Sequence, residues 1–313
     1  MRNHISFYLL LITGFAFGQN RFPYLKFVDE YIIDTRDNFN GTVAGGFSGI
    51  DYFSKDIFYF ISDDPGKQSE PRFYKAKIRY TKKGIKKFTL TDVKYLQAPA
   101  GKTFTASHNQ TDTSKFLYSD GESIRYDKEN NLLLWTSEGY NNKGSCMQPF
   151  IFSCDTNGKF VRKIYNNPVF SFSNNNRGSQ HNAAFEAMDV IPGTNSFIYC
   201  TEKNLYEDVN PGDSARPVRI TIAGKVSGAT KAQFAYIPEN IFDDGSTGVS
   251  EILALSVDSF LVLERTTNKE DGNVVRLFLA TTGGTSSDIK NTRELKSEKY
   301  IPLQKNCFLT FQK

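Results

Sequence analysis

The chain has 313 residues and a formal net charge of +4; 39% of its residues are hydrophobic, 14% aromatic and 23% charged. This length and composition exclude an intrinsically disordered chain and allow a large hydrophobic core. The small net charge, with lysines scattered apart from the short clusters Lys82–Lys83 and Lys86–Lys87, does not support a nucleic-acid-binding function. The abundance of Phe, Tyr, Asn, Ser and Thr favours strands and turns throughout.

Residues 1–18 predict a secretory signal peptide. Arg2 precedes an apolar stretch from Ile5 to Phe17, and Gly18 stands just before Gln19. This is the basic, apolar and small-residue order of such peptides, although a retained anchor or an apolar first strand is the alternative. No later stretch of the sequence has the apolar length of a membrane span. We therefore expect an exported protein, periplasmic or extracellular, with a single domain over residues 19–313.

A degenerate repeat of about 65 residues follows in the mature chain. Each copy pairs a small or acidic leading residue with an apolar run that ends in an acid. The copies are FSGIDYFSKDIFYFISDD (47–64), GESIRYDKENNLLLWTSEG (121–139), FEAMDVIPGTNSFIYCTEK (185–203) and SEILALSVDSFLVLERT (250–266). Residues typical of turns lie in the middle of each copy, so each copy predicts a hairpin of two short strands.

One or two further strand-like runs follow each hairpin. They are RFYKAKIRY and FTLTDVKYL, PFIFSCD and KFVRKIY, RPVRITIAG and AQFAYIP, and VVRLFLATT and KYIPL. Four strands in meander order, repeated near residues 45–100, 120–170, 184–238 and 248–304, predict an all-β protein: a β-propeller of four-stranded antiparallel blades. A large β-sandwich is the alternative, but it would not explain why the same acid-bracketed hairpin returns.

The repeated acids are the main candidate site residues. The leading positions are Ser48, Glu122, Glu186 and Glu251, and the closing acids are Asp63, Asp64, Glu138, Glu202 and Glu264. Each leading acid stands beside the apolar residues of the expected innermost strand, where a charge is costly unless it meets a cation, a donor or water. We expect the leading acids to ring the propeller axis. The alternative is that copies of one ancestral blade retained a solvated surface carboxylate.

The ordered set of motifs resembles the secreted bacterial "esterase-like activity of phytase" family. The resemblance runs from GGFSGIDYFSKDIFYFISDD through ESIRYD, LLLWTSEG, NRGSQHNAAFEAMDV and YCTEKNLYEDV to GVSEILALSVDSFLVLERT and VVRLFLAT. It implies a propeller and a phosphoester or carboxylester hydrolase. Similar proteins continue into another acid-bearing hairpin, whereas this chain ends with KYIPLQKNCFLTFQK, so the resemblance suggests a C-terminal truncation.

Clustered carboxylates predict binding of a hard divalent cation, and calcium assistance would suit phosphoester hydrolysis. We assign the leading acids Glu122, Glu186 and Glu251 to catalysis together with His181, and Asp63, Asp64, Glu138, Glu202 and Glu264 to the metal. Arg72, Arg177 and Arg265 are the candidates for binding an anionic substrate, since guanidinium pairs with phosphate through two parallel bonds. Charge balance for the arginines and simple exposure for His181 are the alternative interpretations.

Ser48 lies in GGFSG, which satisfies the Gly-x-Ser-x-Gly pattern, but it aligns with the repeated acids and begins a strand, so we interpret it as a repeat position. The four cysteines fit no zinc spacing; we interpret them as structural, and Cys146 and Cys154 could pair across a hairpin.

The leading hypothesis is a monomeric, cation-assisted hydrolase of a small anionic ester. A non-catalytic propeller that binds a ligand or protein, and an enzyme for lactones or sugar esters, are the alternatives.

Overall fold

The computed structural model describes residues 27–33, 38–106, 112–142, 145–164, 167–173, 175–240, 246–268, 272–296 and 298–312. In this part of the chain the regular elements are β-strands and two single-turn 3-10 helices, Pro168–Phe170 and Tyr206–Asp208. No helix among these residues has the length and apolar character needed to cross a membrane. The predicted signal peptide, residues 1–18, lies outside the described residues.

Blades 1 and 2 are four-stranded antiparallel sheets. A small ribbon of β1 (Asn38–Phe39) and β2 (Thr42–Val43) precedes blade 1, which consists of β3 (Phe47–Ser54), β4 (Ile57–Ser62), β5 (Arg72–Thr81) and β6 (Gly84–Tyr95). The short parallel pair β7 (Thr103–Phe104) and β8 (Phe116–Leu117) leads into blade 2. Blade 2 and its inserted ribbon comprise β9 (Gly121–Asp127), β10 (Leu132–Ser137), the ribbon strands β11 (Tyr140–Asn142) and β12 (Ser145–Met147), β13 (Phe150–Cys154) and β14 (Phe160–Ile164).

Blades 3 and 4 are meanders without inserted strands. Blade 3 consists of β15 (Phe185–Val190), β16 (Ser196–Thr201), β17 (Val218–Gly224) and β18 (Thr230–Tyr236). Blade 4 consists of β19 (Ser246–Ala254), β20 (Ser259–Asn268), β21 (Gly272–Thr281) and β22 (Gln304–Gln312). The first strands of successive blades lie side by side around a common axis. The prediction of an all-β propeller with four-stranded antiparallel blades is confirmed.

One predicted strand is wrong. KYIPL was expected to be the last strand of blade 4, but that strand is β22, which follows it. Pro302 has no N–H to donate to a sheet ladder. The segment instead packs on blade 3, where the Leu303 amide donates to the Ala235 carbonyl at 2.8 Å and Tyr300 covers a small apolar cluster around Ala235.

The hydrophobic core lies between neighbouring blades. Between blades 1 and 2, Trp135 is 1% exposed and its ring lies 5.2 Å from Phe150 and 5.8 Å from Phe152. Equivalent clusters lie between blades 2 and 3 and between blades 3 and 4. Because aromatic and branched residues alternate along strands that are covered on both sides, each blade is held by its neighbours.

The axis itself is occupied by a buried arginine. Arg125, on β9, is 3% exposed and reaches all four blades. It donates to the Ile50 carbonyl of blade 1 at 3.1 Å, and lies 3.3 Å from the Asp189 carboxylate of blade 3 and 2.5 Å from the Glu251 carboxylate of blade 4. This guanidinium therefore links the innermost strands of the propeller.

The cysteines form no disulfide. Cys146 lies in β12 and Cys154 in β13, so the pairing considered from the sequence does not occur, and Cys200 and Cys307 are also free. Cys154 and Cys200 are buried among apolar residues, where each acts as a small hydrophobic side chain.

Candidate functional site

A β-bulge at the start of each innermost strand places the leading residues. In blade 1, Phe47 pairs with Ser62 and Gly49 pairs with Ile61, so that Ser48 is the extra residue. The bulges of blades 2 and 3 contain Glu122 and Glu186. A bulge redirects side chains and ends regular pairing, which turns these residues toward the end of the propeller axis.

In blades 1 to 3 the closing acids follow the last residue of the second strand that pairs with the first strand. Their amides donate to the carbonyl of the opposing chain: Asp63 to Gly46 at 2.8 Å and Glu138 to Asp120 at 3.0 Å. Glu202 is held in the same way by the Ala184 carbonyl at 2.8 Å. Because a hairpin brings its two ends together, the leading and closing residues of blades 1 to 3 meet at the same end of the propeller.

These residues line a cavity of about 480 Å³. Its walls carry six carboxyl groups, supplied by Asp63, Asp120, Glu122, Glu138, Glu186 and Glu202. The other polar residues of its lining are Ser48, Lys67, Tyr118, Tyr140, His181, Asn182 and Arg265. The structure therefore brings Asp63, Glu122, Glu138, Glu186 and Glu202 together, as the sequence suggested, with His181 and Arg265 beside them.

Burial makes this concentration of carboxyl groups costly to ionise. Burial, and then the neighbouring Asp63 carboxylate, raise the pKa of Asp120 to about 7. Burial together with Glu202 and Asp120 raises the pKa of Glu138 to about 8. The pKa values of Glu122 and Glu186 are also raised well above the usual range by burial and by the neighbouring glutamates. The cavity therefore retains protons near neutral pH when no cation balances its charge.

Three of the carboxyl groups lie close enough together to hold one ion. Asp120, Glu122 and Glu138 each present an oxygen within 4.8 Å of the other two. Glu138 is 3% exposed, and its Oε1 atom has no hydrogen-bond partner among the described residues. An all-oxygen donor set suits a hard cation such as calcium, whereas structural zinc sites are built from cysteine sulfur and histidine nitrogen. The donor chemistry and the unpartnered Oε1 fit a calcium ion.

The cationic and aromatic side chains of the cavity stand around these acids. Arg265 is 51% exposed, and its Nη2 atom lies 3.9 Å from Glu202. The ring of His181 meets that of Tyr140 edge to face at 5.0 Å, and its Nδ1 atom accepts from the Asn141 amide at 3.5 Å. The cavity thus combines an acidic floor with side chains that can contact an anionic ligand.

Blade 4 does not place acids in the cavity as blades 1 to 3 do. Its strand pairing is shifted by one residue from the alignment of the four sequence repeats. Val249 pairs with Glu264 and Glu251 pairs with Leu263, so the bulge residue is Ser250. Arg265 follows Glu264 as Glu202 follows Thr201, and the separation of Ser250 from Arg265 equals that of Ser48 from Asp63. Blade 4 therefore contributes Arg265 where the other blades contribute a closing acid.

The two acids assigned to blade 4 lie elsewhere. Glu251 pairs with Arg125 at the axis and does not line the cavity. Glu264 is fully buried, where it accepts from the Tyr236 hydroxyl at 2.5 Å and pairs with Lys305 at 2.8 Å and Arg276 at 3.2 Å. These contacts place Glu251 and Glu264 in the structural framework and away from the proposed catalytic and metal roles.

Asp64 and Arg72 also hold the framework. The Asp64 carboxylate accepts amide protons from Gly66, Lys67, Gln68 and Ser69, and it pairs with Arg72 at 2.9 Å. Arg72 is 2% exposed and donates to the Val43 carbonyl and the Tyr74 hydroxyl. Neither side chain faces the cavity: Asp64 closes its own loop, and Arg72 is enclosed beneath it.

Arg177 lies in a second cavity of about 460 Å³, where it pairs with Glu294. The floor of that cavity includes Arg219, whose guanidinium is held by both oxygens of Asp208, by Gln233 and by two backbone carbonyls. Arg177, a candidate for binding an anionic substrate, thus lies apart from the acidic cavity.

Asp120 was missed by the sequence analysis. It immediately precedes the signature GES, at a position where blade 1 has Gly46 and blade 3 has Ala184. A search for residues shared by the repeats cannot identify an acid that only one copy carries. Ser48 lines the cavity beside Glu122, but it lies in the bulge of β3, and β4 follows that strand where a nucleophile elbow would have a helix.

The raised pKa values predict the pH dependence of the metal-free protein. Between the ordinary pKa of Asp or Glu, near 4, and the values of about 7 for Asp120 and about 8 for Glu138, the folded state binds more protons than the unfolded chain. Stability is therefore highest at low pH within this window and falls as pH rises through 7 and 8. Thermal melts in EDTA across this range should show a falling midpoint.

In the same melts Glu138→Gln should flatten the fall, because glutamine has no charge to gain. The matched change Glu298→Gln, at an exposed glutamate outside the cavity, should melt like the wild type at each pH. A midpoint that rises from pH 5 to pH 8.5 in the wild type would contradict the prediction.

The family model described as "Phytase-like: Esterase-like activity of phytase" matches residues 42–313. No curated protein matches. Solved structures similar to the chain include Kluyvelomyces marxianus Hsv2, at 8% identity and a TM-score of 0.32, and KlHsv2 with loop 6CD replaced by a Gly-Ser linker, at 9% and 0.33.

Each Hsv2 alignment covers 84% of this chain and 58% of the other, so the chain spans well under two thirds of their length. An exo-beta-1,3-galactanase from Phanerochaete chrysosporium is also similar, at 9% identity and a TM-score of 0.36, with 80% of this chain and 64% of that chain covered.

Proposed function

The chain belongs to the phytase-like family described as esterase-like activity of phytase, and from this premise we propose that it is a calcium-assisted hydrolase of small anionic esters, with phosphoesters as its substrates. The observation that carries the proposal is the cluster of Asp120, Glu122 and Glu138, with the unpartnered Oε1 atom of Glu138, in a cavity that also presents Arg265. Export of the protein and its monomeric state remain part of the same proposal.

Asp120, Glu122 and Glu138 would hold the cation. A bound calcium ion supplies positive charge that polarises a phosphoryl oxygen and lowers the pKa of water. The same charge would allow the three carboxyl groups to ionise at neutral pH, which burial and mutual repulsion otherwise oppose.

The cationic side chains of the cavity would bind and orient the ester. Arg265 is half exposed and its Nη2 atom lies 3.9 Å from Glu202, so its guanidinium is accessible to a phosphate. Lys67 lies on the blade 1 side of the same cavity and would contact the anion from there. Both are placed to neutralise an anionic ester over an acidic floor.

Blade 3 supplies the groups that would transfer protons. Glu186 and Glu202 both have raised pKa values because they are buried, so one can hold a proton that the ester oxygen receives when the phosphorus–oxygen bond breaks. The other, as a carboxylate, would accept the proton of the water whose oxygen bonds to phosphorus. His181, at the rim with Tyr140, is the alternative proton acceptor.

Phosphoesters are favoured over carboxylesters for a specific reason. Ser48 stands beside the Glu122 carboxyl group in the cavity, where a serine hydrolase would have a histidine base. A chain without that arrangement depends on charge in the cavity, which suits a substrate that is itself strongly anionic.

Calcium titration followed by thermal melting tests the metal part of the proposal. Calcium should raise the melting midpoint at pH 8, because an ion that binds only the folded state stabilises it by mass action. At a calcium concentration of one hundred times Kd, the free energy of unfolding should increase by about 2.7 kcal/mol. Magnesium should have a smaller effect, because it prefers an octahedral shell that keeps several waters. An unchanged midpoint at millimolar calcium would contradict calcium binding.

Hydrolysis of p-nitrophenyl phosphate and p-nitrophenyl acetate, each with calcium and with EDTA, tests the reaction. We expect calcium-dependent release from the phosphate. Calcium binding without turnover of either ester would instead support the non-catalytic propeller, and calcium-independent turnover of the acetate alone would support a carboxylesterase.

A further inference from the structure

The outer hairpin of blade 1 carries a charge cluster that the proposed hydrolase site does not use. Residues 77–87 contain no acidic residue and six basic ones, all exposed: Lys77, Arg79, Lys82, Lys83, Lys86 and Lys87. The whole chain has a net charge of only +4, so the remainder of the protein is net negative. The positive charge is thus concentrated on this basic hairpin, residues 77–87.

The basic hairpin projects beyond the rest of blade 1. Ile57, the first residue of β4, pairs with Lys77, so the segment of β5 that follows Lys77 pairs only with β6. The turn lies at residues 82–83, at the end of the strands opposite to Ser48 and Asp63. The basic hairpin is therefore a protruding ribbon on the side of the blade away from the acidic cavity.

Like charges face each other on one side of this ribbon. Arg79 pairs directly with Lys87 across the strands, and together with Lys77 they line a cleft of about 270 Å³ that also includes Thr89 and Thr91. Like charges directly opposite one another destabilise a strand pair unless an anion lies between them. A cleft lined by three cations and two hydroxyl groups suits a phosphate group.

The neighbouring acids offset only part of the six positive charges of the ribbon. Asp92 pairs with Lys94 at 3.0 Å, and the Asp29 carboxylate accepts from the Ile85 amide at 2.9 Å. The carbonyl of Asp56 accepts from the Ile78 amide, beside the base of the ribbon. Among the described residues, none of the six basic side chains of residues 77–87 forms an ion pair.

The opposite side of the ribbon is aromatic. Tyr80 is 54% exposed, pairs across the strands with Ile85, and its ring lies 6.4 Å from Phe58. Tyr52, which is 52% exposed, lies 5.5 Å from the same phenylalanine ring. Tyrosine beside lysine is the combination favoured at a membrane–water interface, where the ring enters the headgroup layer and the ammonium group contacts phosphate.

We propose that the basic hairpin docks the protein on the surface of membranes that contain anionic phospholipids. Lys82, Lys83 and Lys86 at the turn contact headgroup phosphates, the cleft of Lys77, Arg79 and Lys87 holds one of them, and Tyr80 enters the headgroup layer. Because the hairpin and the acidic cavity lie at opposite ends of blade 1, the cavity faces the solvent when the protein is docked. This surface is independent of the proposed hydrolase activity.

Vesicle co-sedimentation tests the proposal. The wild-type protein should bind mixed phosphatidylcholine–phosphatidylglycerol vesicles, should release as salt is added, and should leave pure phosphatidylcholine vesicles unbound. Replacing Lys82, Lys83, Lys86 and Lys87 together with Gln should lower the partition coefficient by about a hundredfold or more, since each lysine near an anionic surface contributes about fivefold.

The matched control replaces four exposed lysines outside the hairpin, Lys115, Lys128, Lys159 and Lys299, with Gln, which changes net charge equally. It should bind within about twofold of the wild type, because those lysines lie outside the basic hairpin that makes the proposed contact. No binding by the wild type, or an equal loss in the control, overturns the proposal. Wild type that is retained on heparin but not on the mixed vesicles also overturns it, in favour of an acidic polysaccharide.

Discussion

Glu138→Gln is expected to lower kcat/KM for calcium-dependent phosphoester hydrolysis by a factor on the order of a hundred or more. The substitution keeps the size of the side chain but removes the charge from a carboxyl group whose Oε1 atom is buried without a hydrogen-bond partner among the described residues. Asp120→Asn should have a similar effect, because it removes a second ligand from the same cluster. Both variants should need much more calcium to reach the thermal midpoint of the calcium-saturated wild type.

Stability separates this loss from simple unfolding. In EDTA at pH 8, Glu138→Gln should melt at or above the wild-type temperature, because it removes a buried carboxyl group that its neighbours repel. Glu298→Gln is the control for activity and should leave kcat/KM within about twofold. Full calcium-dependent activity in Glu138→Gln would exclude Glu138 as a cation ligand and would leave the cluster without a role in the reaction.

Arg125→Met is expected to destabilise the fold by about 3–5 kcal/mol, the effect of removing one partner from a buried ionic network. Methionine fills much of the space but leaves the carboxylates of Asp189 and Glu251 without their shared cation, and it removes the hydrogen bond to Ile50 of blade 1. The carboxylate of Asp51, which accepts from the Tyr126 amide at 2.6 Å, loses the same neighbouring charge. Urea denaturation at fixed pH and calcium concentration measures the change.

The pH dependence of that loss identifies its cause. Without the guanidinium, the pKa values of the facing carboxyl groups rise further, so the variant should lose less stability at pH 5 than at pH 8. Arg79→Met, at an exposed position on a strand, should change stability by less than about 0.5 kcal/mol. An Arg125→Met protein as stable as the wild type would show that the axis does not depend on this network.

Fold class was predictable because its signals are local and repeated. Alternation of apolar residues and the turn residues between them predicted the hairpins β3–β4, β9–β10, β15–β16 and β19–β20. Burial of both faces of these strands between neighbouring blades follows from the same patterns. The exception was KYIPL, whose apolar residues are typical of a strand although Pro302 has no N–H to donate to the hydrogen bonds of a sheet.

The site was predicted less completely, because the direction of a side chain depends on the register of strand pairing, which the sequence alone does not show. A shift of one residue reverses the face of a strand. The alignment of the repeats placed Glu251 at the leading position of blade 4. The bulge lies at Ser250, and the Glu251 carboxylate pairs with Arg125. Similarly, Asp63 and Asp64 are adjacent in the sequence, but Asp63 lines the cavity whereas Asp64 closes the loop that follows it.

The repeat with its acid at both ends of a hairpin determines that blades 1 to 3 carry carboxyl groups at one end of the propeller, since antiparallel strands return the chain to its starting point. Register and blade packing decide which groups share the cavity, because contacts between residues distant in the sequence set the direction of each bulge. They add Asp120 and place Arg265 opposite the acids. Register and blade packing also keep five predicted site residues out of the cavity, and each forms an ion pair elsewhere in the structure: Asp64, Arg72, Arg177, Glu251 and Glu264.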